Sequence, residues 1–246
     1  MSAAEDEGAV THDTLLRGRV KLIQPARGFR SSLDPVLLAG FIRPPFGHFL
    51  DIGCGTGALS FLLLAQDPAA TGLALEIQPR LARLTAAGVE ANQFGSRLTV
   101  VAEDARRTQE TARAAFDLVA TNPPFRPLGT GNLPPHSERS LAHHEVALTL
   151  ANWLDLAQAA LRPEGRLCAI FPADRRNQVR TGLHQRGMAM ARWRMIAAQT
   201  DTPPLRFCFE ARAASQVATS HEEPTLIIHE AGGYSPEVRR MLGEET

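Results

Sequence analysis

The stretch Phe49-Leu-Asp-Ile-Gly-Cys-Gly-Thr-Gly57 limits the possible folds of this chain more than any other. Apolar residues lead into Asp51, glycine recurs at 53, 55 and 57, and Ala58 to Ala65 continues as an apolar run. That order reads as a strand, a tight turn and a helix start, the unit of an open α/β sheet. A side chain in such a turn would hold the backbone away from a ligand lying across it, and the turn itself often calls for positive φ. The pattern is that of a nucleotide-binding turn. As Gly53-x-Gly55-x-x-Ala58 it also fits a relaxed dinucleotide fingerprint, so the glycines alone leave NAD and S-adenosylmethionine as rivals. Asp51 favours the second. A carboxylate two residues before the first glycine attracts a cationic amino group and repels a pyrophosphate.

The 246 residues suit one domain with modest additions. The longest apolar runs fall far short of the ~20 residues of a membrane span. The acidic start lacks the basic and apolar segments of a secretory signal, so the cytoplasm is expected. Cys54, Cys168 and Cys208 are widely spaced in apolar contexts and read as reduced packing residues. A formal charge of zero argues against nonspecific coating of nucleic acid and leaves room for a local basic face. Lys21 is the only lysine; arginine forks suit phosphates, though genome composition is the simpler account of the bias.

In chain order, residues 1–14 read as a disordered acidic tail and 15–45 as an amino-terminal segment over the substrate and cofactor. Residues 46–246 read as the catalytic domain. A short strand is expected over Arg17 to Ile23, then a turn-rich loop to Arg30. Asp34 is a candidate N-cap with Pro35 in the first helical position, or part of a lid over the cofactor. Further strands are expected at Thr71 to Glu76, Leu98 to Ala102, Phe116 to Thr121 and Gly165 to Pro172, with helices at Pro79 to Asn92, His144 to Leu161 and Asp174 to Gly187. Met190 to Ala198, Leu205 to Arg212 and Thr225 to His229 then lie close enough together to pair as an antiparallel end. The expected architecture is α/β, a seven-stranded, mainly parallel sheet with that antiparallel end and helices on both faces.

Acids fall at two strand ends. Glu76, ~20 residues past the glycines, stands where an acid commonly accepts both ribose hydroxyls. Of Glu103 and Asp104 at the next strand end, one, with Asp104 preferred, could accept from the adenine amine of a cofactor. With Ile77 and Ala105 beside them, and Asp34, Asp51, Gly53, Cys54, Gly55, Gly57 and Asn122, they form the candidate cofactor set.

Asn122-Pro-Pro-Phe125 marks the carboxyl end of a strand a second time, because proline cannot continue a central strand. The exocyclic amine of adenine is a poor nucleophile, its lone pair being delocalised into the ring. The Asn122 side-chain oxygen and the Pro123 carbonyl can accept its two hydrogens and favour a tetrahedral nitrogen, with Pro124 stiffening the backbone. Phe125 offers a face for stacking the base. No strong base is required, because nitrogen attacking a sulfonium becomes acidic. His143-His144-Glu145 diverge on a helix, and no metal site is expected.

Asp51-Ile-Gly-Cys-Gly-Thr-Gly, Glu76, Asp104 and Asn-Pro-Pro-Phe together resemble the class I, Rossmann-like N-methyltransferases of planar amines and amides. Leu22-Ile-Gln-Pro-Ala-Arg-Gly-Phe-Arg-Ser-Ser-Leu-Asp-Pro-Val-Leu-Leu is similar to the bacterial tRNA(Val) adenine-N(6) methyltransferases. The resemblance runs from Arg19 to Ala173, and Tyr234-Ser-Pro-Glu looks like that family's tail. It implies S-adenosylmethionine as cofactor and, as substrate, an adenosine just 3′ of a tRNA anticodon whose base can be splayed out. A monomer is the expected state. Arg175, Arg176, Arg180, His184 and Arg186 share helical spacing and, with Arg192 and Arg194, are candidate phosphate contacts; Lys21, Arg27, Arg30 and Arg139 are others. Protein glutamine N(5)-methylation is the nearest rival, although only about 45 residues precede the turn, too few for the helical domain that family carries. Guanine N(2)-methylation of rRNA and a noncatalytic nucleotide or RNA module complete the alternatives.

Overall fold

The computed structural model describes residues 9–105, 114–123 and 149–244. An antiparallel hairpin, β1 (Val10–Leu15) and β2 (Val20–Pro25), opens the chain. Helix α1 (Asp34–Phe41) follows, then β3 (His48–Ile52), α2 (Ala58–Gln66), β4 (Thr71–Leu75), α3 (Pro79–Ala91), β5 (Leu98–Val101) and β6 (Phe116–Thr121). The remainder holds α4 (Leu150–Ala160), β7 (Leu161–Pro172), α5 (Arg176–His184), β8 (Met188–Ala197), β9 (Arg206–Ala213) and β10 (His221–Ile227). A two-residue ribbon, β11 (His229–Glu230) and β12 (Gly233–Tyr234), precedes α6 (Pro236–Met241).

The main sheet has eight strands in the order β10-β8-β9-β7-β6-β3-β4-β5. Successive residues of its central strands enter opposite cores: Phe49, Leu118, Cys168 and Ile170 face α1 and α2, whereas Leu50, Val119, Leu167 and Ala169 face α4 and α5. That is the period-two pattern of strands buried on both faces. Val20, Leu22 and Val36 to Phe41 belong to the first of these cores, so the amino-terminal segment is built into the same body as the sheet.

Four expectations are corrected. Val10–Leu15, largely assigned to the acidic tail, is a strand, because its alternating side chains pair in register with β2. Among the described residues the sheet has eight strands rather than seven, and only β9 runs against its neighbours. After β9 the chain turns back once more, and β10 settles parallel to β8 on the outer edge. Pro224 is tolerated there because the register shifts between Glu223 and Leu226 and an edge strand can spare a donor. Finally, Leu33 precedes α1 and Asp34 is its first residue, so Asp34 is not the N-cap.

The basic side chains of the carboxyl-terminal strands explain why that edge holds together. Arg192 is buried, bonding Glu210 at 3.3 Å, Glu223 at 2.9 Å and the Phe41 carbonyl at 2.9 Å, with its guanidinium 3.8 Å from the Phe41 ring centre. Arg194 pairs with Glu237 of α6 through both carboxylate oxygens. Arg186 bonds Asp155 and the Ala151 carbonyl of α4. These three, grouped with phosphate contacts on spacing alone, are cross-braces of the fold.

Candidate active site

The chain runs β3, β4, β5 outward along one side of β3, then returns to place β6 on the other side. The carboxyl ends of β3 and β6 therefore flank the point where strand order reverses, where open α/β sheets form their ligand crevice. The Gly-rich turn leaves β3 there, and Asn122 and Pro123 leave β6 there. Asp51 pairs in register with Ala120, and the Thr121 hydroxyl donates to the Ile52 carbonyl at 2.8 Å, so the two ends are locked side by side. Asn122 and Pro123 are both partly exposed at that edge.

The turn is held from below. The Gly53 and Cys54 amides donate to the Leu75 carbonyl at 2.8 and 2.9 Å, and the Gly55 amide donates to Glu76 Oε2 at 2.9 Å. Thr85 of α3 donates from its hydroxyl to the Gly55 carbonyl at 2.8 Å. Gly53, Gly55 and Gly57 have φ of 73°, 59° and 84°, which only glycine adopts freely. A Cβ on Gly57 would collide with Phe61 and Thr85, whereas one on Gly53 would enter open space. Thr85→Val leaves the Gly55 carbonyl without its partner and is expected to cost about 1–2 kcal/mol in chemical denaturation.

Asp51 is 1% exposed and accepts from the Ser60 hydroxyl at 2.7 Å. Burial pushes its carboxyl up to about 7, and the Glu76 charge adds to the effect against the Ser60 bonds. Glu76 is also buried and its carboxyl raised by burial, while its oxygens accept from the Gly55 and Gln78 amides. Its role in this structure is to hold the turn, and a carboxylate retains further lone pairs for a ligand. Cys54 is buried beneath the turn, its thiol pushed up by burial. Ile77 and Asp104 are partly buried and Ala105 buried, beyond the ends of β4 and β5. Asp34, the first residue of α1, accepts from Arg206 Nε of β9 at 3.4 Å.

Of the basic candidates, Arg175, Arg176 and Arg180 follow the carboxyl end of β7, the strand beside β6. Arg176 lies over Trp193, 4.5 Å from the ring centre, and Arg175 over Phe171 at 5.9 Å. Arg27 is exposed in the loop after β2. Arg30 is engaged by Asp13 at 2.9 Å and Thr11 at 2.7 Å. The Lys21 backbone pairs with Asn92 past the end of α3, at the opposite edge of the sheet from Asn122. Pro124, Phe125, Arg139, His143, His144 and Glu145 lie outside the described residues. Ser60, Thr85 and Thr56 escaped sequence reasoning. Ser60 is one hydroxyl within an apolar helix, a signal that could have been followed to Asp51.

The parts present suit S-adenosylmethionine. The Thr56 hydroxyl, in the middle of the turn, is buried without a hydrogen-bond partner, and the space over Gly53 is open. The fold and this site define a class I, S-adenosylmethionine-dependent methyltransferase. The methyltransferase small domain family matches residues 34–181. A tRNA1(Val) (adenine(37)-N6)-methyltransferase of Porphyromonas gingivalis is 31% identical, with 91% of each chain covered. The chain belongs to both of these families. Among solved structures, a predicted O-methyltransferase from Agrobacterium tumefaciens superimposes with a TM-score of 0.68 at 20% identity, covering 86% of this chain and 96% of that one. M. jannaschii TYW2 in complex with AdoMet does so at 0.57 and 12% identity, covering 83% and 86%. At those identities the likeness is one of fold. Among the described residues no helix is long and apolar enough to cross a membrane.

Proposed function

We propose that this enzyme methylates the exocyclic N6 amine of an adenine in tRNA, adenine 37 of tRNA1(Val) as in its named relatives, in the cytoplasm. The observation that carries the reading is Asn122-Pro123 standing at the strand-order reversal beside the Gly-rich turn. Bound S-adenosylmethionine supplies an electrophilic methyl group on sulfur. Asp51 would face the cofactor's cationic amino group, Gly53 and Gly55 would allow its close approach, and Glu76 and Asp104 would take its ribose hydroxyls and adenine amine. The Asn122 oxygen would accept one hydrogen of the substrate amine and the Pro123 carbonyl the other, directing its lone pair; alignment of this kind can supply ~7–11 kcal/mol. Phe125, outside the described residues, is the proposed stacking face for the splayed base.

The test is methyl transfer from tritiated cofactor to unmodified tRNA, followed by nucleoside mass spectrometry. N6-methyladenosine at a single position is the expected product. Methylguanosine, or label appearing only in protein glutamine, would replace the reading by one of its rivals. Arg27, Arg175, Arg176 and Arg180 are the proposed phosphate contacts nearest the acceptor edge. Arg180→Gln is expected to weaken tRNA binding several-fold and to reduce the slope of log affinity against log salt by about 1, measured by filter binding.

A further inference from the structure

Phe29 is 46% exposed, whereas every other described phenylalanine is buried. Its position is nevertheless fixed. A Cβ added to Gly55 would fall 2.8 Å from the Phe29 ring, so the ring lies directly over the turn. The loop that carries it is tied to the hairpin on both sides: Ala26 N donates to the Ala9 carbonyl at 2.9 Å, Arg30 bonds Thr11, Asp13 and the Pro25 carbonyl, and Ser31 N donates to Gln24 Oε1 at 2.7 Å. Gly28, at φ +96°, provides the bend that turns the ring inward. Above the same turn, the Gly53 side is open. A half-wet aromatic ring held against one end of a glycine turn, with empty space over the other end, is a slot with one wall.

We propose that Phe29 is the aromatic wall of the cofactor cleft, and that its exposed face is covered when the sulfonium nucleoside lies along Gly53 to Gly55. The proposal rests on reading that turn as the cofactor floor. Phe29 then selects for a flat or apolar ligand surface and excludes water from it, a task that glycines and buried carboxylates cannot perform.

The probe is S-adenosylhomocysteine, titrated by calorimetry into the full chain, Gly53→Val, Phe29→Ala and Phe29→Trp. Phe29→Ala is expected to bind about tenfold more weakly than the parent, with an unchanged unfolding midpoint in the absence of ligand. Phe29→Trp is expected to bind comparably to the parent and to change its emission on saturation, beyond any change in the parent, which contains Trp153 and Trp193. Parent-like or tighter binding by Phe29→Ala, or Phe29→Trp emission indifferent to the probe, overturns the wall while the floor stands, provided that Gly53→Val abolishes binding. A parent chain that does not bind the probe, or a Gly53→Val variant that binds normally, removes the floor and the wall together.

Discussion

Asn122→Ala is expected to lower turnover by ~100-fold or more while leaving cofactor affinity within a few-fold of the parent. The separation follows from the geometry. The turn that receives the cofactor is held by Leu75, Glu76 and Thr85, and none of those bonds uses the Asn122 side chain. The end of β6 is fixed by the Thr121 hydroxyl on the Ile52 carbonyl, so the alanine variant keeps its backbone in place. On the proposed mechanism, what it loses is one of two acceptors that turn a delocalised amine into a directed nucleophile. Single-turnover rates with saturating tRNA, set beside calorimetric cofactor affinity, make the comparison. Near-normal turnover would assign the amine's acceptors to other atoms.

Asp51→Asn is expected to act in opposite directions on stability and on function. The buried carboxyl is pushed from its ordinary 3.8 up to about 7. Between those two values the folded chain holds a proton that the unfolded chain has released, so Asp51 lowers stability progressively as pH rises through that window, and the loss persists above it. Asparagine carries no charge and keeps an oxygen for the Ser60 hydroxyl. At pH 8 the ligand-free variant should therefore be more stable by about 1–2 kcal/mol in denaturant titrations. Cofactor binding should fall at least tenfold, because the cationic amino group loses its counter-charge. The parent's affinity should rise as the carboxyl ionises through about pH 7, and the variant's dependence should be flatter. Glu76, also raised by burial, accounts for slope that remains. A variant that binds cofactor as tightly as the parent would take Asp51 out of the binding site.

The elements nearest the site were the most legible. Alternating glycines after an apolar run, and prolines ending a strand, are local signals, and both fell at the same edge of the sheet as expected. Long-range pairing was not legible. Nothing in His221–Ile227 says that it will run parallel to β8 and not beside β9, because edge order depends on where the chain returns and not on side-chain pattern. The arginines misled for a related reason. Spacing places Arg175, Arg176, Arg180 and Arg186 on one helix, but only the fold reveals that Arg186 is spent on Asp155 and Ala151. Arg192 comes just after an irregularity in β8 that moves it from the face of Met188 and Met190 to the face of Phe41, a switch that period-two counting along the strand does not show.

Helix α1 is gripped at its first residue by Arg206, through Asp34, and at its last by Arg192, through the Phe41 carbonyl and ring. Both arginines come from the carboxyl-terminal strands, and the loop bearing Phe29 runs directly into that helix. The rim over the glycine turn is thus moored to residues more than 150 positions away. Strands β8 and β9 serve the cleft's mouth from a distance, by fixing both ends of the helix into which that loop runs.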